Sequence, residues 1–267
     1  MIITSYMLPQ GQPVAVFNAD GPSDLMLVCE HASNFIPTSL QQLGLTDTLA
    51  ESHIAWDPGA LALSKALSDA FAAPLIAATV SRLVYDCNRP PFAPGAIAEL
   101  SEVHPIPGNV GLSDAAIQSR IAQVYEPFCA AVEQVCDRLA FNATFPLFVT
   151  IHSFVPVYKG IPREVEIGVL HDTDALLADC FIEEANHIGG YVVRRNEPYA
   201  AVDGVTHTLQ ARALSRGFPN VMIEVRHDLL SDAAGVAAVA DYLQQVILGC
   251  LARCKIDNPV GASARFD

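Results

Sequence analysis

Leu25-Met26-Leu27-Val28-Cys29-Glu30-His31 and Pro146-Leu147-Phe148-Val149-Thr150-Ile151-His152 are runs of apolar, β-prone residues that each stop within a residue of a histidine. A short continuous apolar run reads as a strand buried on both faces, the kind found inside a parallel sheet. A third run, Asn220-Val221-Met222-Ile223-Glu224-Val225-Arg226, brings a carboxylate toward the same edge instead. In open α/β sheets ligands bind beyond the carboxyl ends of the strands. Two imidazoles and a carboxylate delivered to that edge are the raw material of a metal site with a general base beside it.

The segments around these runs alternate between strand and helix. Asp57 before Pro58 reads as a helix start, with Asp at the cap and Pro at the first helical position, and the helix is expected to continue to Ala72. Pro74 to Val80 and Leu83 to Cys87 read as strands. Residues 89–111 are rich in proline and glycine and break every period, so they are expected to form a functional loop or lid. A long helix capped by Ser113 and running from about Asp114 to Leu139 follows, kinked by Pro127. Further strands are expected at 165–170 and 191–195, and helices at 174–187, 206–215 and 233–254, with a frayed tail from Lys255. The pattern implies a three-layer α/β/α arrangement with a mostly parallel, mixed central sheet. Residues 1–267 read as one domain, its core spanning about 24–250.

Composition bounds the function. With 267 residues, 51% of them hydrophobic and 16% charged, the chain can bury a large core without disulfides. A formal net charge of −14 opposes nucleic-acid binding, which needs a basic surface. The apolar runs read as too short for a membrane span, and Met1 to Gln12 lack the features of a signal peptide, so a cytoplasmic location is expected. The seven cysteines are an odd number placed in apolar segments, which reads as reduced core packing. Cys250 and Cys254 are four apart, a spacing compatible with metal, but no second pair supports it.

Ser81-Arg82-Leu83-Val84-Tyr85-Asp86-Cys87-Asn88-Arg89-Pro90 joins Cys29-Glu30-His31-Ala32-Ser33-Asn34, Ile151-His152-Ser153-Phe154, Asn196-Glu197-Pro198-Tyr199 and Ile223-Glu224-Val225-Arg226 in an ordered set. This set resembles the N-formylglutamate amidohydrolase family over nearly the whole chain. The order His31, Arg82, Asn88-Arg89, His152, Glu224 is also distantly similar to zinc carboxypeptidases and aspartoacylase-like enzymes. The resemblance implies a carboxypeptidase-like (phosphorylase/hydrolase-like) fold and metal-assisted hydrolysis of the amide in a small anionic N-acyl amino acid, N-formyl-L-glutamate first.

The residue chemistry agrees with what the resemblance implies. Zn²⁺, or another divalent transition ion, makes water nucleophilic near neutral pH. Glu224 is the expected general base and Arg82 the oxyanion donor. Asn88 and Arg89 would anchor a substrate carboxylate, with Asn196, Tyr199 and Arg226 as further binding residues, while Asn196 to Tyr199 also read as an ordinary turn. The metal ligands would be His31, His152 and a third group. In the distant relatives a glutamate three residues after the first histidine completes the triad, whereas Asn34 stands there in this chain. Asp57 is therefore the first choice and Glu30 the second, although strand alternation turns Glu30 away from His31. Asp86 is expected to support the site from behind, and His207 to face the pocket or the surface. His53, His104, His171, His187 and His227 are read as surface or packing residues. Three other readings compete: the same chemistry on another N-acyl amino acid or small amide, a binding protein without catalysis, suggested by Asn34, and a cysteine-dependent amidase using Cys29 or Cys87.

Overall fold

The computed structural model describes residues 12–257. In chain order its elements are β1 Val14–Phe17, β2 Leu25–Cys29, α1 Asp47–Ala50, α2 Ala60–Phe71, β3 Leu75–Ala78, β4 Leu100–Ser101, β5 His104–Pro105, α3 Asp114–Arg120 and α4 Glu126–Asn142. The second half adds β6 Leu147–Phe154, β7 Val157–Tyr158, β8 Ile161–Pro162, β9 Ile167–Leu170, α5 Leu176–Ile188, β10 Val193–Arg195, β11 Asn220–Arg226 and α6 Ala233–Asp257.

Seven strands form one sheet in the order β1-β3-β2-β6-β11-β9-β10. The core strands β3, β2, β6 and β11 are mutually parallel, while β1 pairs antiparallel with β3, and β9 antiparallel with β11. The sheet is thus mixed and mostly parallel, an α/β fold. Odd-numbered residues of β2, β6 and β11, such as Leu27, Val149 and Ile223, pack against α2, α5 and α6. Even-numbered ones, such as Met26, Phe148 and Met222, pack against α4 and the segment around Leu209. Strand period two therefore builds two separate cores, one on each face.

On the even face this alternation changes character toward the carboxyl edge. Met26 and Val28 lead to Glu30, Phe148 and Thr150 to His152, and Met222 to Glu224. All of these side chains are buried. The sheet thus runs from a dry core into a buried polar patch without a break.

Several local expectations are corrected. Val14–Phe17 is a strand, not irregular chain. Leu83 to Cys87 form a turn rather than a strand, because β1 already occupies the free edge of β3; Ser81 turns the chain instead, donating from its hydroxyl to Ala55 O at 2.7 Å and accepting from Leu83 N. The cap of α2 is Gly59, at φ 82°, and not Asp57. The long helix is interrupted by a π turn at Ile121–Tyr125, where Glu126 N–H reaches back to Ile121 O. The irregularity lies immediately ahead of Pro127, which has no N–H and crowds the carbonyl four residues back. Residues 206–215 are helical but held by a π turn, Leu209–Ala213, and a 3-10 turn, Leu214–Arg216. The 89–111 segment is not structureless, since β4 and β5 make a small hairpin within it and Pro107–Asn109 a 3-10 turn.

One helix, Ala233–Arg253, is long and apolar enough to cross a membrane, contrary to the sequence expectation. Its packing supplies another reason for that composition. Val239, Leu243, Val246, Ile247 and Cys250 are buried in the core it shares with α2 and α5. The N-terminal leader expectation falls mostly, and the tail expectation partly, outside the described residues, as does the side chain of Cys254.

Gly59 links the fold to the candidate site. A Cβ there would lie 2.4 Å from Leu230 Cβ, on a backbone conformation that favours glycine. Gly59→Ala is expected to destabilise the protein by about 1–3 kcal/mol, measured as a lower urea midpoint at unchanged slope.

Candidate active site

The carboxyl edge of the sheet opens into a cavity of about 200 Å³. His31, Asp57, Arg82, Asn88, Arg89, His152, Tyr199 and Glu224 all line it, as do His53, Ser101, Glu102 and Ser153. Three of these side chains meet at its floor. His152 Nδ1 lies 2.8 Å from Asp57 Oδ2, His31 Nδ1 lies 3.2 Å from the same oxygen, and the two Nδ1 atoms are 3.2 Å apart.

Each element delivers its side chain for a local reason. His152 is part of β6, whereas His31 follows β2 where the chain leaves the sheet. Asp57 arrives on the crossover before α2, with its N–H donating to His31 O at 2.9 Å. Because Gly59 caps the helix, the Asp57 carboxylate is not spent on capping and turns to the imidazoles.

The outer nitrogens of both rings are held by buried carboxylates. Asp86 Oδ1 lies 2.8 Å from His31 Nε2, and Glu30 Oε2 lies 3.2 Å from His152 Nε2, at an angle poor for a hydrogen bond. With protons on the Nε2 atoms, both Nδ1 lone pairs and one carboxylate oxygen face a common point. In that tautomer neither ring N–H stands among them, and the Ser153 N–H reaches Asp57 Oδ2 from the side at 3.4 Å. Such an arrangement attracts positive charge, whether a ring proton or a metal ion, and spacings near 3 Å match the ligand-to-ligand separations around a small tetrahedral ion. The residues present therefore fit a divalent transition metal.

The electrostatics point the same way. Glu30, Asp57, Asp86 and Glu224 are all buried, with Arg82 as the nearby permanent cation. Burial pulls both imidazoles down, and Arg82 adds to this at His31, but the neighbouring carboxylates outweigh it and raise both. Burial would lift Asp57 as well, yet the imidazoles hold it far below the ordinary carboxylate range. Glu224 behaves differently. Burial, reinforced by Asp57 and opposed by His152, His31 and Arg82, pushes it up to about 7. Its Oε2 is buried without a hydrogen-bond partner, and the residue sits directly alongside His152 on the neighbouring strand.

Arg82 donates to Asp86 Oδ2 at 3.1 Å and to Asp57 Oδ1 at 3.5 Å, which leaves N–H groups for a ligand. Arg89 uses Nη1 on Gly204 O and Asn88 O, and has Nη2 and Nε besides. Asn88 is committed to the fold. Its Nδ2 donates to Val205 O at 2.5 Å and its Oδ1 accepts from Thr208 N at 3.0 Å, stitching the 204–208 segment to the cavity wall. Tyr199 forms part of the opposite wall, where Arg163 stacks over its ring and donates to its hydroxyl at 3.3 Å.

Two expected binding residues are not brought to the cavity. Asn196, at φ 50°, accepts from His171 N at 3.1 Å and braces the turn after β10. Arg226 ends β11, where Asp228 and Glu166 draw its guanidinium aside at 2.8 and 3.5 Å. His207 is held by Tyr125 at 2.9 Å, away from the cavity. Asn34, in the position of the relatives' glutamate, donates to Ala50 O. Cys29 and Cys87 are buried, and burial beside Asp57 and Glu30 for one and Asp86 for the other keeps each thiol protonated, which disfavours a cysteine nucleophile. His53 and Glu102 were missed as cavity residues. The available signal was the placement of His53 in the first strand-to-helix crossover, which must pass the carboxyl edge.

The model of the N-formylglutamate amidohydrolase family matches residues 23–231. Among solved structures, the gene product Atu2144 from Agrobacterium tumefaciens is 46% identical, with a TM-score of 0.90 over 92% of this chain and 97% of that one. An N-formylglutamate amidohydrolase from Ralstonia eutropha shares the fold at 18% identity and a TM-score of 0.60, over 93% of this chain and 99% of that one. No curated protein matches the chain significantly.

If the floor of the cavity holds a cation as its geometry implies, calorimetric titration with Zn²⁺ should give one tight site in the wild type and none in His152→Ala. Asp86→Asn should weaken that site about 10- to 100-fold, because His31 loses the group that orients it.

Proposed function

The chain belongs to the N-formylglutamate amidohydrolase family, and from that premise we propose that it is a metal-dependent hydrolase of N-formyl-L-glutamate, yielding L-glutamate and formate. The observation that carries this reading is the meeting of His31, Asp57 and His152 with Glu224 in register alongside. His31, His152 and Asp57 would hold the ion, for which we infer Zn²⁺; when bound, it supplies the Lewis acidity that amide hydrolysis needs at neutral pH. Residues 1–267 would act as one hydrolase domain, with a small anionic amide as substrate and the cytoplasm as its location.

The chain's own residues divide the remaining chemistry. Glu224 takes a proton from the attacking water and returns it to the departing amine; a carboxyl poised near neutrality suits both transfers. Arg82 offers N–H donors to the oxygen on which negative charge grows. Its two carboxylate partners fix its orientation in advance. Arg89 anchors a substrate carboxylate through its uncommitted edge, while Asn88 contributes by holding the 204–208 segment against Arg89. Tyr199 closes the wall. The binding-protein reading rested on Asn34; the closeness of Asp57 Oδ2 to both imidazoles supports Asp57 as the third ligand instead.

The test compares N-formyl-L-glutamate with N-acetyl-L-aspartate on purified protein, with and without a chelator. Turnover of the formyl compound that is lost with chelator and restored by Zn²⁺ is the expected result. Glu224→Gln should keep metal and fold while kcat falls at least about 100-fold. Retained turnover in that variant would overturn the base assignment, and preference for the acetyl compound would reassign the substrate.

A further inference from the structure

N-formyl-L-glutamate carries two carboxylates, and its recognition calls for two donor groups in the cavity besides those given to the floor and to the oxyanion. Arg82, oriented by Asp57 and Asp86, is assigned to the oxyanion, and the imidazoles of His31 and His152 face the floor. Arg89 serves one carboxylate. Of the basic side chains lining the cavity, His53 remains.

We propose that His53 is the anchor for the side-chain carboxylate of the substrate, and that Glu102 occupies that subsite in the free enzyme as a stand-in for it. This assignment rests on the N-formyl-glutamate reading above and names the residues that select its side chain. His53 Nε2 lies 3.1 Å from Glu102 Oε1, joining two loop segments 49 residues apart. Both side chains line the cavity and are about a third exposed, 35% and 29%, so a ligand can reach either one. The pair is a carboxylate already docked on an imidazole donor at the rim. An arriving carboxylate of the same chemistry can replace it.

The segment carrying Glu102 is built so that its tip can yield while its base stays fixed. At the base, Asn109 donates to Leu83 O and Ala98 O, and Arg120 donates to Asn109 Oδ1, Val84 O and Gly108 O. At the tip, Glu102 turns the β4–β5 hairpin at φ 55°, and its neighbours Leu100 and Val103 are 60% and 74% exposed. Little apolar burial therefore holds the tip against the body. Displacing Glu102 breaks the contact with His53 and leaves the core untouched.

The experiment measures kcat and KM for N-formyl-L-glutamate and for N-formyl-L-glutamine, which has nearly the same shape without the distal charge. His53→Gln is expected to lower kcat/KM for the glutamate compound about 10- to 100-fold, through KM, while the glutamine compound changes less than about 3-fold. Glu102→Gln should lower KM for the glutamate compound several-fold, since the internal competitor is weakened. Equal losses on both compounds in His53→Gln, or a raised KM in Glu102→Gln, would overturn the proposal. Wild-type enzyme that treats the two compounds alike sinks the subsite and leaves the hydrolase reading standing. Absence of turnover on both compounds sinks the two together.

Discussion

A concentration of buried negative charge at the carboxyl edge of four parallel strands is the constraint on which the rest of this molecule depends. Glu30, Asp57, Asp86 and Glu224 are removed from water within one patch, and charges so placed are costly unless each is paired. The pairing is built in layers. Asp86 and Glu30 lie behind the two histidines, Asp57 lies between them, and Arg82 bridges Asp57 and Asp86. What remains unbalanced is the inward side, where lone pairs converge. The geometry that gathers these groups around one point is also what fits them to a small, highly charged ion.

The fold supplies rigidity and selectivity through different parts. Two dry cores, one on each sheet face, lock β2, β6 and β11 in register, so the polar residues that crown those strands inherit fixed positions. The crossovers and loops then bring Asp57, Arg82, Arg89 and Tyr199 around them. Side chains such as Asn88 serve this assembly by tying one loop to another, even though they touch the cavity.

Much of this was legible in the sequence because it depends on local rules. Continuous apolar runs announced the buried strands, and a histidine or glutamate at the end of each announced the edge. Asp57 was readable as a candidate from its place on the first crossover, although its supposed capping role was not. The missing parts depend on tertiary context. Nothing local in Leu83–Cys87 reveals that β1 already fills the neighbouring sheet edge. Alternation placed Glu30 away from His31, but not against the outer nitrogen of His152, which sits on another strand. Arg226 shares strand parity with Glu224, yet Asp228 two residues later draws its guanidinium aside. The cavity roles of His53 and Glu102 arise from a contact between distant loops that no periodicity encodes.

His152 and Glu224 are direct neighbours across β6 and β11. Their backbone spacing is therefore that of any adjacent strand pair, about 4.8 Å, a length set by peptide hydrogen bonding rather than by side-chain choice. Insertions or deletions in the connecting loops can reshape the mouth of the cavity without altering that distance. Descendants of this scaffold can thus diverge in what they admit while the Glu224 carboxyl and the His152 imidazole keep a common ruler.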